Sequence, residues 1–235
     1  IVGMFGGALI AQAFGWRMAF IALGLPGVLL ALIVWLTVDE PLRGRWDPPR
    51  KPELKEESFA EVVRYIWRSR AFRLVALATG FTTLSGYGFG NWTPSFLIRV
   101  HGLSLVEAGL LLGVTGTLGG LLGAIFGGIA TDKLARRDSS WQLKMPALGA
   151  LISLPLQMAF LMWPEGHAFH LGDFTIPVAM LFMPVGAFFA AFWIGPTYAA
   201  VQNLVKPNMR SLASATLLLF LNLIGMGIGP LLVGV

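Results

Sequence analysis

The 235 residues contain no cysteine, and only 12% of them are charged. The first lack excludes a disulfide framework, thiol catalysis, iron–sulfur ligation and cysteine-bound zinc. The second excludes a water-soluble globule: a soluble domain carries roughly a quarter charged residues, and so little polar surface cannot cover a core of this size. A third lack is positional, since no Asp, Glu, Lys, Arg or His stands near the middle of a long apolar run. No nucleophile with a partnered base is visible, so nothing supports an enzyme or calls for a cofactor. His167 and His170 stand three apart, but Pro164 and Gly166 adjoin them and no further ligand is clear. That connection, Pro164 to Asp173, reads as a solvated loop and not as a metal site.

What is present is apolar. Hydrophobic residues make up 56% of the chain, with 29 Gly and 14 Pro, two residues commoner in membrane helices than in soluble ones. Crossing about 30 Å of hydrocarbon takes about 20 residues. Six segments qualify: Met18 to Val38, Leu74 to Ile98, Val106 to Ala130, Met145 to Trp163, Phe174 to Leu204 and Leu212 to Val235. Ile1 to Phe14 covers only about 21 Å and reads as the tail of a helix that began earlier. With Ile1 in place of an initiating Met and an apolar run at Val235, the expectation is an internal piece of a longer, all-α, multi-pass membrane protein.

The net charge of +5 matters less than its placement, and no nucleic-acid partner is expected. Asp39 to Phe72 is polar and rich in Arg and Lys, and positive side chains are retained in the cytoplasm. With that segment inside, of the 17 basic residues only Arg17 and Arg99 fall outside. Pro41 to Pro52 should be irregular. Beyond it, Ser58 and Glu61 form a capping box, and Phe59, Val62, Val63, Ile66 and Trp67 repeat on one helical face. The spacing predicts a short helix lying on the membrane surface. Gly119, Gly123 and Gly127, flanked by Gly116 and Gly120, leave one side of their helix bare, a surface suited to close helix packing. A fainter signal is the echo between Gly3-Met4-Phe5-Gly6-Gly7 and Gly225-Met226-Gly227-Ile228-Gly229-Pro230, as internal repeats of a transporter would produce.

The most specific motif is Gly128-Ile129-Ala130-Thr131-Asp132-Lys133-Leu134-Ala135-Arg136-Arg137. A Gly, an acid four residues on and a basic pair resemble the inter-helix signature of the major facilitator superfamily, although Lys133 and Ala135 depart from its usual Arg and Gly. Asp132 can sit against the positive N-terminus of a neighbouring helix, while Arg136 and Arg137 hold the cytoplasmic boundary. Gly15-Trp16-Arg17-Met18-Ala19-Phe20, Asp39-Glu40-Pro41, Ser85 to Leu97, Gly102 to Gly109, Gly195 to Gln202 and Met209 to Ala215 look like the spinster branch of that superfamily. The resemblance implies twelve helices in two six-helix bundles, with this chain running from the end of helix five through most of helix eleven. Residues 1–38 would then end the N-terminal bundle, 39–72 form the cytoplasmic linker, and 73–235 belong to the C-terminal bundle.

By the same resemblance the protein is a monomeric carrier in a bacterial inner membrane or plasma membrane, working by alternating access. Its partners would be membrane lipids, an amphiphilic substrate such as a lysophospholipid or sphingoid lipid, and protons handled by helices outside this chain. Transport driven by the substrate gradient alone is the other possibility, because proton-coupled carriers need an embedded ionisable group. Candidate cavity residues are Tyr87, Asn91, Trp92, Trp193, Tyr198 and Asn222, neutral hydrogen-bonding or aromatic groups on apolar helices. Gly128, Asp132, Arg136 and Arg137 are the candidate gate. Thr79, Thr82, Thr83, Ser85, Thr197 and Gln202 also stand in these helices, and Ser and Thr often bond only their own backbone. Glu107 falls in a first turn, where capping is the expected task. A permease for small organic anions or sugars competes with the lipid assignment, and would need a cavity Arg or Lys. A sensor or scaffold that binds without moving its ligand is the reading from another class.

Overall fold

The computed structural model describes residues 3, 6–39, 58–172 and 174–234. The irregular stretch Pro41 to Pro52, most of the linker, and Met4 and Phe5 of the echo lie outside the described residues. Helix α1, Gly7–Phe14, joins α2, Trp16–Thr37, through Gly15, whose φ of 85° lies where a side chain would be strained. Almost nothing covers α2, in which Ala19 alone is buried. Then come α3, Phe59–Arg68; α4, Arg70–Arg99; α5, Leu105–Ala135; and α6, Trp141–Met162. Two further spans, here α7 and α8, occupy Val178–Asn203 and Pro207–Gly234.

Five of these helices are long and apolar enough to cross a membrane. The 30-residue α4 has the length but not the apolarity, because its Thr, Ser, Tyr and Asn face other helices and cavities and not only lipid. Both α7 and α8 are interrupted. A 3-10 turn at Ala191–Trp193 precedes Pro196, whose missing N–H cannot complete the ladder. A π-helical segment, Asn222–Ile228, precedes Pro230 for the same reason. Gly3 and Gly6 are also π-helical, so the echoing segments share a backbone habit as well as glycines.

Glycine governs packing. A Cβ on Gly119 would strike the Pro184 carbonyl, one on Gly123 the Phe188 backbone, and one on Gly127 the Phe192 ring at 2.9 Å, so the bare stripe of α5 lies directly on α7. Flanking Gly116 and Gly120 face open space. On the other side of the bundle, a Cβ on Gly229 of α8 would stand 2.6 Å from the Leu84 carbonyl of α4. Thr83 Oγ1 donates to Leu221 O across 3.4 Å and Trp92 Nε1 to Pro230 O across 2.9 Å, binding α4 to α8.

Helix α3 starts as its capping box requires: Ser58 N donates to Glu61 Oε2 at 2.8 Å, and Glu61 N to Ser58 Oγ. Its apolar face, expected to meet the membrane, packs in large part on the bundle. Val62 and Ile66 are buried in a cluster with Phe72 and Val75 of α4 and Met209 and Leu217 of α8. Trp67 meets Phe72 and Phe220 edge-on, at 6.2 and 5.5 Å between ring centroids. Burying these side chains against the bundle removes their apolar surface from water, the favourable term that docks the helix. Phe59, 66% exposed, and in part Tyr65 and Trp67 remain uncovered.

The Pro164 to Asp173 connection also differs from a solvated loop. Ala168–Leu171 (β1) and Phe174–Pro177 (β2) pair antiparallel, with Phe169 opposite Ile176, so α7 begins at Val178 and not at Phe174. Aromatic and β-branched residues suit a strand, and Gly172 supplies the turn with φ 63°. Glu107 anchors this hairpin. Its Oε2 caps α5 by accepting from Ser104 N at 2.8 Å, and its Oε1 accepts from Thr175 N at 3.1 Å.

Candidate functional site

Four of the six cavity candidates share one cleft. Tyr87 from α4, Trp193 and Tyr198 from α7 and Asn222 from α8 line a space of about 270 Å³, together with Thr82, Thr83, Gly86, Leu218 and Leu221. The backbone interruptions explain how they meet. Trp193 ends the 3-10 turn of α7, and Asn222 opens the π segment of α8. Irregular helix of this kind recurs where membrane helices line a cavity. Against the π segment lies the Tyr87 ring, its Cδ2 standing 2.9 Å from where a Cβ on Gly225 would be.

The polar tips in this cleft are largely unspent. Among the described residues the Tyr87 and Tyr198 hydroxyls and the Trp193 indole N–H make no hydrogen bond. Asn222 Nδ2 donates to Leu218 O at 2.9 Å, which leaves its Oδ1 free to accept. The wall thus offers two hydroxyls, one N–H donor and one amide oxygen on an aromatic surface. Among the described residues no Asp, Glu, Lys, Arg or His lines the cleft.

Asn91 and Trp92 do not belong to it. Asn91 Nδ2 donates to Tyr87 O at 2.9 Å, one turn back along α4, and the Trp92 indole is committed to Pro230 O. Their helical register carries them past the cleft wall. Backbone bonding also claims the threonines: Thr79, Thr82, Thr83 and Thr93 each donate to a carbonyl three or four residues back. Gln202 pairs instead with the Ser214 hydroxyl at 3.3 Å, away from the cleft.

Sequence reasoning missed Gln157 and Ser153 on α6. They line a space of about 200 Å³ that shares Thr82, Gly86 and Trp193 with the cleft. A third space of about 360 Å³ extends from Trp193 and Thr82 to Leu74 and Leu143, near the ends of α4 and α6 that hold Arg70 and Lys144. Pro146 and Pro155 within α6 were the available signal, each removing a backbone donor from the helix beside polar side chains.

The candidate gate occupies the last turns of α5. Gly128 faces open space, and Asp132, Arg136 and Arg137 are exposed. Asp132 makes no hydrogen bond or ion pair among the described residues, so no helix N-terminus within them receives it. The paired acid of this turn is Asp138, whose Oδ2 lies 2.9 Å from Lys144 Nζ. Donation by the Ser140 hydroxyl, then by Lys144, holds the Asp138 carboxyl well below the usual carboxylate range. At the opposite end of the bundle α1 meets α5. Gly7, Ala8 and Ala11 face Leu105, Ala108 and Gly109 around a gap of about 270 Å³.

Residues 1–230 match the Major Facilitator Superfamily. An "MFS-type efflux pump" of Mycolicibacterium smegmatis is 32% identical over 98% of the chain and 50% of its own length. The cis,cis-muconate transport protein of Acinetobacter baylyi is 34% identical over 60% of the chain and 34% of its own length. Among solved structures, a bacterial homologue of the human lysosomal transporter spinster, inward-facing and unoccupied, superposes with a TM-score of 0.73 and 29% identity, covering 98% of this chain and 49% of that one. Its occupied inward-facing form gives a TM-score of 0.63. The chain spans about half the length of these whole-chain matches.

Proposed function

The chain belongs to the major facilitator superfamily, and on that premise we propose that it is part of a multi-pass carrier moving an amphiphilic, lipid-like substrate by alternating access. The observation that carries this reading is the cleft of Tyr87, Trp193, Tyr198 and Asn222, aromatic and hydrogen-bonding but without a fixed charge among the described residues. An aromatic wall binds an apolar body through area removed from water, and the free tips fix the orientation of a polar head. The α1 contact near the start of α5 supports an inward-facing state, since simple alternation of the spans puts that end of α5 outside. Asp132, unpaired and exposed, is the residue proposed to meet a helix N-terminus elsewhere in the carrier and help close its cytoplasmic side. Protons, if coupled, are handled by residues outside this chain.

A permease for small organic anions is the second reading, favoured by the likeness to the muconate transport protein. It needs a cation in the cavity, and none lines the cleft among the described residues. Flux into proteoliposomes holding the full-length protein decides between them. Lysophosphatidylcholine uptake that falls in Trp193→Ala supports the first reading; muconate uptake without lysophospholipid flux replaces it with the second.

A further inference from the structure

We propose that Gln157 is a specificity-determining substrate contact, and that it selects a ligand carrying an uncharged donor–acceptor group, such as an amide, on an apolar body. This rests on the reading of the adjoining cleft as the substrate route. Gln157 stands on α6, half-buried, where two spaces meet. One, of about 200 Å³, opens onto the cleft at Thr82, Gly86 and Trp193. The other, of about 300 Å³, is walled by Phe89, Leu112, Phe160, Phe182 and Met183. Gly86, Gln157 and Ala190 border both, so the amide sits at the joint between a polar passage and an apolar chamber.

The contrast with its neighbours is chemical. Asn91 and Asn222 each spend a donor on their own helix, and Ser153 does the same through Ala150 O. Gln157 makes no hydrogen bond among the described residues and retains two donors and an acceptor. An amide left unpaired beside an apolar chamber is unfavourable unless a ligand or water meets it. Among the described residues no ionisable side chain borders either space, so none of them compensates a charged ligand group. A primary amide presents donor and acceptor side by side, and its complement is a neutral group presenting the reverse pair. The chamber beyond has the volume for one aromatic ring or a short branched chain.

The test uses the full-length protein in lipid nanodiscs and two probes of matched shape, 3-phenylpropanamide and the ketone 4-phenylbutan-2-one, with saturable binding measured above protein-free discs. The amide should bind about 3- to 10-fold more tightly than the ketone, the range of a net hydrogen bond. In Gln157→Met, which keeps length and removes the amide, that preference should fall within about twofold while ketone binding persists. A preference unchanged in Gln157→Met, or no saturable binding of either probe to the unmodified protein, overturns the proposal. Ala190→Leu, narrowing the joint from α7 with the amide intact, should weaken both probes at least threefold; unaltered binding there also overturns it. These readouts are independent of flux, so absence of lysophospholipid transport would remove the lipid assignment but not the cleft as a substrate route, and would leave this contact standing.

Discussion

Two glycines one turn apart on α5 should respond to the same substitution with opposite signs. Alanine at Gly123 places a Cβ against the Phe188 carbonyl oxygen and only 2.7 Å from the carbonyl carbon, and both are backbone atoms. No side chain can rotate away, so α5 and α7 must part. Relieving the nearer oxygen takes a separation of more than roughly 1 Å, enough to forfeit about half of the dispersion attraction at that line of contact. Overpacking of this kind costs about 1–3 kcal/mol. Alanine at Gly120 meets nothing within 4 Å and should stabilise the helix by up to about 1 kcal/mol. The two variants should therefore differ by about 1–4 kcal/mol, with the unmodified protein between them. Unfolding of the full-length protein from mixed micelles, followed by helical circular dichroism against denaturing detergent, gives the order directly. Equal midpoints for Gly123→Ala and Gly120→Ala would refute the packing argument and the placement of the glycine stripe on α7.

Three further outcomes are expected. Ile66→Ala removes a fully buried side chain that ties α3 to α4 and α8 and should cost about 2–5 kcal/mol in docking, read as faster amide exchange confined to α3; exchange unchanged there would mean the helix is held elsewhere. Asp132→Asn should shift the balance of inward- and outward-open forms several-fold, corresponding to about 0.3–2 kcal/mol of charge–dipole interaction, and unchanged cysteine accessibility on both faces would remove Asp132 from the gate. Cysteines replacing Arg136 and Glu165, both exposed, should react with an impermeant maleimide from opposite faces of the membrane, and reaction from one face would overturn the orientation.

Much of this architecture was legible because lipid imposes few solutions. Apolar length marked five of the six spans, Ser58-Glu61 marked the start of α3, and the four-residue glycine interval marked one face of α5 for close packing, though not its partner. The hairpin was not legible, because Phe174-Thr175-Ile176 is apolar enough to extend a helix, and the anchoring Glu107 lies 68 residues away. Nor was the docking of α3, since periodicity gives the apolar face but not what covers it. In the cleft, aromatic and amide residues on apolar helices supplied the candidates, and Tyr87, Trp193, Tyr198 and Asn222 converge. Asn91 and Trp92 carried the same signal and were lost to local geometry, as a hydrogen bond to Tyr87 O or Pro230 O cannot be read from residue type. Gln157 was missed for the converse reason. A single amide in an apolar run stands out only once its neighbours' bonds are known.

The most direct test of alternating access needs no knowledge of the substrate. Tyr87→Cys places a thiol in the cleft, while cysteines at Ala11 and Gly109 stand on opposite walls of the α1–α5 gap and can be bridged by a short bifunctional reagent. An impermeant maleimide added outside should label position 87 before bridging and fail to do so afterwards, while labelling from the cytoplasmic side persists. Labelling from both sides that ignores the bridge would contradict a carrier that opens its cleft to one face at a time.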